Sequence, residues 1–267
     1  MSLRAIIPSF NDDLLLKLLY SMEASEPDST RCVIVGDNGI TQTVKDKFPL
    51  VKYVQVPHIP FIHMQALNCM VDAADSKDDI VVFGDDTTIL TPVWYTTSQL
   101  ILANWSTKYV TFGMLNFQQN YYLNYGDYGK WLALRKNTAD LFSSSWTLPI
   151  CGSLFPRRIL DLVGRFDERF VGYAYDDVDY CVRILHAGFT LGITDVVQIN
   201  HVGQVSYTRA QQLFLDPSAT ENRKLFYAKY GLPLGKPGFP DAAPHLCYCK
   251  CGCIPLNKTS YDSNENL

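Results

Sequence analysis

The chain has 267 residues, with 23 Lys and Arg against 27 Asp and Glu and a formal net charge of −4. That length suits one large α/β domain with a tail, and 47% hydrophobic against 19% charged residues describes an ordinary globular chain rather than a disordered or fibrous one. The acidic balance argues against a dedicated nucleic-acid binder, which needs clustered Lys and Arg, without excluding a local basic groove.

Residues 3–8 read as the first strand. Residues 11–13 offer helix caps, and 14–22 give an apolar helical face. A second buried strand at 32–35 ends in the turn Gly36-Asp37-Asn38-Gly39. A short helix at 41–48 and a third strand at 51–56 follow. Met64, Leu67, Met70, Val71 and Ala74 recur at helical spacing and predict a helix over 62–74. The strand at 80–83 runs into Gly84-Asp85-Asp86, Pro92 suits the N1 position of a helix reaching about Asn104, and 109–112 reads as a fifth strand. Short apolar strands separated by helices imply a parallel sheet covered on both faces, with ligands at the carboxyl ends of its strands. Asn11, Asp37, Asp85 and Asp86 fall there. Neither a G-x-G-x-x-G after the first strand nor a Walker A sequence occurs.

Between 117 and 131 the chain turns aromatic without helical or strand periodicity. A helix is expected at 156–163, stopped by Gly164, and another from Asp176 or Asp177 to His186, stopped by Gly188. Residues 189–193 and 196–199 read as strands. Ser218 with Glu221 forms a capping box for a helix to Tyr230. Beyond Leu232 come Pro233, Pro237 and Pro240, then Cys247, Cys249, Cys251 and Cys253 after His245, in a tail expected to be loosely attached. The longest uncharged stretch, 87–107, holds six Thr, two Ser, Gln99, Asn104 and Pro92 and would insert poorly into a bilayer. Residues 1–10 lack a signal-peptide pattern, so the eight cysteines are expected as free thiols in a reducing, cytoplasmic compartment.

Four constellations bear on chemistry. Asp85-Asp86 after an apolar strand is either a solvated acidic turn or a seat for Mg²⁺ or Mn²⁺ bridging carboxylates to substrate phosphates. Asp176, Asp177 and Asp179 suit a helix start, where the macrodipole favours acids; three carboxylates this close also raise one another's pKa, which suits a general base. His201 after an apolar strand is either structural or a neutral imidazole completing a metal site. The alternate-residue Cys run in the tail departs from common zinc spacing and reads as a flexible, redox-sensitive tail or a soft-metal site.

In order, these pieces resemble a family 2 glycosyltransferase with the GT-A fold, rhamnosyltransferase-like among general nucleotide-sugar transferases. The resemblance rests on the segments 5–11 (AIIPSFN), 33–39 (VIVGDNG), 65–68 (QALN), 82–87 (VFGDDT) and 164–170 (GRFDERF). It continues through 175–183 (YDDVDYCVR) with Gly188, and His201-Val202-Gly203 with Ser206. It covers about residues 3–207 and implies a Rossmann-like, mostly parallel central sheet flanked by helices, with a smaller acceptor-side part. The implied division is 1–231 for the transferase domain, with about 1–113 for the nucleotide sugar, 114–231 for acceptor and catalysis, and 232–267 as tail.

The implied activity is inverting transfer from a nucleoside-diphosphate sugar, UDP first and dTDP next, to a hydroxyl of a glycan, a lipid-linked sugar or another acceptor. In that scheme Pro8, Asn11, Asp37, Asn68, Asp85 and Gly152 line the donor, with Asp37 receiving a base N–H. Asp86 and His201 hold Mn²⁺ or Mg²⁺, Asp177 is the base, and Asp176 stands beside it where the family usually has Glu. Gly84 replaces the usual first carboxylate of Asp-x-Asp. The competing readings are a nucleotidylyltransferase, which lacks its Gly-rich loop here, and a catalytically degenerate sugar-nucleotide-binding or scaffold protein whose tail recruits a partner.

Overall fold

Alternation along the first strand builds the core. In β1 (Ser2–Ser9), Leu3, Ala5 and Ile7 share a cluster with Leu15, Leu18 and Leu19, whereas Ile6 joins Met64, Leu67 and Met70 on the opposite face. A strand with helices against both faces buries side chains on both, which is why residues 5–8 of β1 are continuously apolar. The computed structural model describes residues 2–57, 63–119, 141–144, 148–172, 174–202 and 218–230. Most of the aromatic stretch 117–131, Gly203, Ser206 and the tail 232–267 lie outside them.

The elements follow in order. After β1 come α1 (Asp12–Ser25), β2 (Val33–Asp37), α2 (Gln42–Lys47), β3 (Lys52–Gln55), α3 (His63–Ala73), β4 (Asp78–Val82) and β5 (Thr87–Ile89). Then follow α4 (Trp94–Ala103), β6 (Phe112–Gln119), β7 (Leu141–Ser144) and β8 (Ser153–Phe155). The second half closes with α5 (Arg157–Val163), α6 (Asp176–His186), β9 (Thr190–His201) and α7 (Ser218–Lys229). All strands join one sheet in the order β3-β2-β1-β4-β8-β6-β9-β5, with β7 on β9.

Strands β3, β2, β1 and β4 run parallel, and β9 runs parallel to β6. The reversed strand β8 sits between β4 and β6 and is antiparallel to both. Two reversals cancel, so β1, β2, β4, β6 and β9 all point the same way and their carboxyl ends share one edge. The start of β8 lies on that edge too. This topology is α/β with a mostly parallel first half, as the sequence implies.

Three local details differ from expectation. The strand expected at 109–112 is turn up to Thr111, and pairing begins only at Phe112, in β6. Pro92 does not open α4; the helix starts at Trp94 after Val93, whose φ of 51° is left-handed. Its first-turn N–H groups are capped from elsewhere: Glu26 Oε2 accepts from Tyr95 N at 2.8 Å and Thr96 N at 3.0 Å. The strands expected at 189–193 and 196–199 are one strand, β9, whose pairing with β6 shifts register between Phe117 and Gln118.

Helix α7 is anchored by its last turn and by Asn222. Lys229 Nζ lies 2.7 Å from Asp167 and 2.6 Å from Asp179, and the Tyr230 hydroxyl donates to Asp179 Oδ1 at 2.8 Å. The Asn222 amide donates to the carbonyls of Val171 and Ala174, both at 3.0 Å. Those bonds hold the loop just ahead of α6.

Candidate functional site

The shared strand edge assembles the polar residues. Ser9 ends β1, Asp37 ends β2, Asp85 and Asp86 follow β4, Gln119 ends β6 and His201 ends β9, with Cys151 and Gly152 entering β8. Pro8, also in the donor set, is buried in β1 opposite Gly36.

Asp37 is 1% exposed and carries four internal donors. Its Oδ1 accepts from Gly39 N at 3.0 Å and Ile40 N at 2.8 Å, closing the turn after β2. Its Oδ2 takes the Gln55 amide and an ion pair with Lys45 Nζ at 2.6 Å. Lys45 and Gln55 were not singled out in the sequence, because each comes from an element whose pairing with β2 only the fold creates. Asp85 accepts from the Ser9 hydroxyl at 2.8 Å, which ties the end of β1 to the turn after β4.

Two expected donor residues have internal partners. The Asn11 side-chain oxygen Oδ1 caps α1, accepting from Asp13 N at 3.1 Å and Leu14 N at 3.2 Å. Buried Asn68 clips the 166–168 loop to α3. It donates to Phe166 O at 2.9 Å and Glu168 Oε1 at 2.7 Å, and accepts from Phe166 N at 3.0 Å.

Asp86 and His201 meet, with Asp86 Oδ1 3.2 Å from His201 Nε2. The other ring nitrogen, Nδ1, lies 2.9 Å from Gln119 Oε1. The Gln119 orientation follows from its neighbours: its NH₂ group donates to Asn116 Oδ1 at 2.8 Å and Cys151 O at 2.7 Å, both acceptors. Gln119 therefore turns its oxygen to His201, Nδ1 carries the hydrogen, and in the neutral ring Nε2 presents a lone pair. In the ion-paired state burial pulls the imidazole pKa down. The Cys151 sulfur and the Asp86 carboxylate outweigh that and raise it to about 11.

Gly152 adopts φ 75°, a left-handed conformation, and a Cβ there would stand 2.6 Å from Ile199 Cδ1 and 3.0 Å from Gln119 Nε2. Glycine is thus required where the chain turns into β8. Its N–H donates to Val82 O at 2.7 Å, and its carbonyl accepts from Phe117 N at 2.8 Å.

Gly84 leaves a cradle. The position its Cβ would take lies 2.8 Å from Asp86 Oδ1, 3.3 Å from Cys151 Sγ and 3.8 Å from His201 Nε2. Among the described residues no three His, Cys, Asp or Glu side chains form a ready-made metal cage. Two ligands on one divalent ion, each about 2.1 Å from it at tetrahedral to right angles, stand roughly 3.0–3.4 Å apart. The 3.2 Å spacing of Asp86 and His201 is that of an ordinary ion pair and also falls in the range two ligands of one divalent ion would have.

The second acidic cluster opens α6. Ala174 (φ 75°) and Tyr175 (φ 68°) are both left-handed, a strained pair that presents Asp176 and Asp177 at the helix start. Asp177 is half-buried, and burial followed by the neighbouring Asp176 charge raises its carboxyl pKa to about 7. His63, the first residue of α3, lies 3.2 Å from Asp176 Oδ2 and partly offsets that rise. Asp179 faces inward to Arg183 at 3.0 Å and to Lys229, a structural role. Helix α6 is tied to the segment ahead of Cys151 by the Cys181 thiol, which donates to Leu148 O at 3.2 Å.

Comparison with known proteins bears on the fold. No protein-family model matches the chain, and no curated protein matches it. Among solved structures it is similar to GalNAc-T7 crystallised with UDP, GalNAc and Mn²⁺. The TM-score is 0.57 at 13% identity, over 88% of this chain and 52% of that one. It is also similar to Staphylococcus aureus TarS, with a TM-score of 0.52 at 12% identity, over 85% of this chain and 42% of that one. The chain thus spans about half or less of these structures, and the likeness establishes an α/β glycosyltransferase-type (GT-A) fold.

Proposed function

We propose that the chain is an inverting, metal-dependent glycosyltransferase of the family 2 type. It would move a sugar from a nucleoside-diphosphate donor, UDP-sugar first and dTDP-sugar next, to an acceptor hydroxyl. The observation that carries the reading is Asp177: a half-buried carboxylate at a strained helix start with its pKa raised to about 7, suited to taking a proton near neutral pH.

In this reading the donor lies across the strand edge. A base N–H takes the place of Gln55 at Asp37 Oδ2, while Lys45 and the backbone of Gly39 and Ile40 hold the carboxylate in position. Asp85, braced by Ser9, and the backbone at Gly152 face the ribose–diphosphate side. Asp86 and His201 would hold the cation, and Gln119 fixes the His201 ring through Nδ1, leaving Nε2 on the Asp86 side. Mn²⁺ or Mg²⁺ there supplies positive charge against the diphosphate and offsets the charge developing on the leaving group. Asp177 takes the acceptor O–H proton as the oxygen attacks the anomeric carbon. The bond from that carbon to the β-phosphate oxygen breaks, and the nucleoside diphosphate leaves with the electron pair. One displacement inverts the anomeric centre.

Thermal shift with UDP-, GDP-, dTDP- and CMP-sugars, each with Mn²⁺, Mg²⁺ or EDTA, tests the donor side. Metal-dependent stabilisation by one diphosphate sugar is expected; no stabilisation by any donor overturns the reading. A second reading, a donor-binding protein without turnover, is favoured by Gly84 standing where a carboxylate is usual. Slow hydrolysis of the stabilising donor separates the two: an enzyme shows it and loses it in Asp177→Asn without loss of donor affinity, whereas a binding protein has none to lose.

A further inference from the structure

Helix α7 buries an amide. Asn222, in its second turn, is 3% exposed. Its Oδ1 accepts from Val171 N at 3.2 Å, and its Nδ2 donates to the carbonyls of Val171 and Ala174, each at 3.0 Å. A helix that only covered an apolar surface would place an alkyl side chain there, because Asn is a weak helix former and a buried amide is costly unless bonded.

The backbone that Asn222 grips is strained. Gly172 (φ 78°), Ala174 (φ 75°) and Tyr175 (φ 68°) are left-handed, and the last two carry a Cβ that this region disfavours. Such a pair persists only where its surroundings over-determine it. Helix α7 supplies two of the holds. Asn222 takes the Ala174 carbonyl, and one turn later the buried Phe226 sets its ring 5.4 Å from that of Tyr175. Tyr175 O in turn accepts from Asp179 N at 2.9 Å in the first turn of α6. Where α6 begins, and so where Asp176 and Asp177 stand, follows from these two residues.

We propose that Asn222 is a positioning residue for Asp177: through the Val171 and Ala174 carbonyls it locks the left-handed turn that presents the Asp177 carboxylate to the acceptor hydroxyl. The inference rests on the reading of Asp177 as the base and deepens it by naming what holds that base in place. Without the amide, Ala174 and Tyr175 can relax to ordinary backbone, the first turn of α6 shifts, and Asp176 leaves His63. The donor side belongs to other elements, the ends of β1, β2, β4 and β9, and keeps its geometry. A base misplaced by about 1 Å costs up to about 100-fold in rate.

The test is hydrolysis of UDP-glucose, UDP-galactose and UDP-N-acetylglucosamine with Mn²⁺ by the full-length chain. Water takes the acceptor's place: its proton goes to Asp177, its oxygen bonds to the anomeric carbon, and UDP leaves with the electron pair. Two variants remove the clamp. Asn222→Ala deletes it, and Asn222→Asp keeps its shape and the acceptor for Val171 N but donates to neither carbonyl. In both, kcat should fall about 10–100-fold, with KM and donor affinity by isothermal titration unchanged. Adding either change to Asp177→Asn should lower the residual rate no further, because residues that act as one unit are not additive. Unchanged kcat, equal losses of kcat and donor affinity, or losses that multiply with Asp177→Asn overturn the Asn222 role and leave the reading of Asp177 standing. Failure of both variants to fold makes Asn222 a residue of the fold alone and overturns the role too. Full turnover in Asp177→Asn, or none in the parent, overturns the reading of Asp177 and this inference with it.

Discussion

His63 Nδ1 lies 3.2 Å from Asp176 Oδ2, joining the first residue of α3 to the first residue of α6. The contact brings a cation-capable ring from the first half of the chain to an acidic pair in the second. Asp177 next door is pulled two ways. Burial and the Asp176 charge raise its pKa, and His63 holds it back. A base needs this balance, since too low a pKa makes it weak and too high a pKa leaves it protonated.

The pH profile follows. Turnover should rise with pH through about 7 as Asp177 loses its proton. His63→Gln should move that limb to higher pH and Asp176→Asn to lower pH, each by up to about one unit, since one charged neighbour commonly contributes that much. The kcat/KM–pH profile checks this; a limb unmoved by either change would remove Asp177 from the role.

Stability should carry the opposite signature. Folding raises the Asp177 pKa from 3.8 to about 7, so the native state binds the extra proton in that window. The proton linkage favours the fold below pH 3.8 and is lost as pH rises through 7. Asp177→Asn, which carries no charge, should therefore be more stable than the parent at pH 8, by up to about 4 kcal/mol, the equivalent of the shift and an upper bound for a half-buried group, with the difference shrinking toward pH 4. Urea denaturation at both pH values measures it.

Gly84→Ala places a methyl group in the cradle between Asp86, Cys151 and His201. Gly84 is not among the glycines of positive φ, so the backbone accepts alanine. The methyl would stand 2.8 Å from buried Asp86 Oδ1, so that carboxylate must turn aside and the fold should lose about 1–3 kcal/mol, while metal affinity falls roughly 10–100-fold. Equal metal affinity in parent and variant, by isothermal titration, would sink the cradle.

Lys45→Met leaves the Asp37 carboxylate buried with its backbone and Gln55 donors but without its counter-charge. A loss of about 1–3 kcal/mol is expected, the penalty for removing one partner of a buried polar group. Donor affinity should fall with it, because the carboxylate loses the cation that fixes its Oδ2. Chemical denaturation and donor titration read the two effects separately.

Gln119→Leu removes the group that joins Asn116, Cys151 O and His201. Each of those groups loses one hydrogen bond, although Cys151 O keeps the Asn116 amide, and stability should fall by about 1–3 kcal/mol. The His201 ring also loses its orientation. A variant as stable as the parent in urea, with unchanged metal affinity, would show that Gln119 only fills space.

Much of the frame was legible in the residues themselves. The apolar runs of β1, β2 and β4, the spacing of α3 and the stops at Gly164 and Gly188 follow from burial and backbone sterics, which act over a few neighbours. The same local physics marked Asp37, Asp86, Asp177 and His201 as strand-end or helix-start polar residues. It could not say that Asn68 clips a loop, that Glu26 caps a distant helix, or that Pro92 stands outside α4.

Only the sheet order decided which of those residues meet. Strand β8 inserts in reverse between β4 and β6, so Cys151 and Gly152 arrive on the same edge as Asp86, Gln119 and His201. A sequence lists these residues far apart, and no local propensity encodes a strand's neighbours across a sheet. The amino-acid order alone determined the kinds of chemistry this protein carries. The tertiary structure decided which groups share one cradle, because packing brings together atoms that the chain keeps apart.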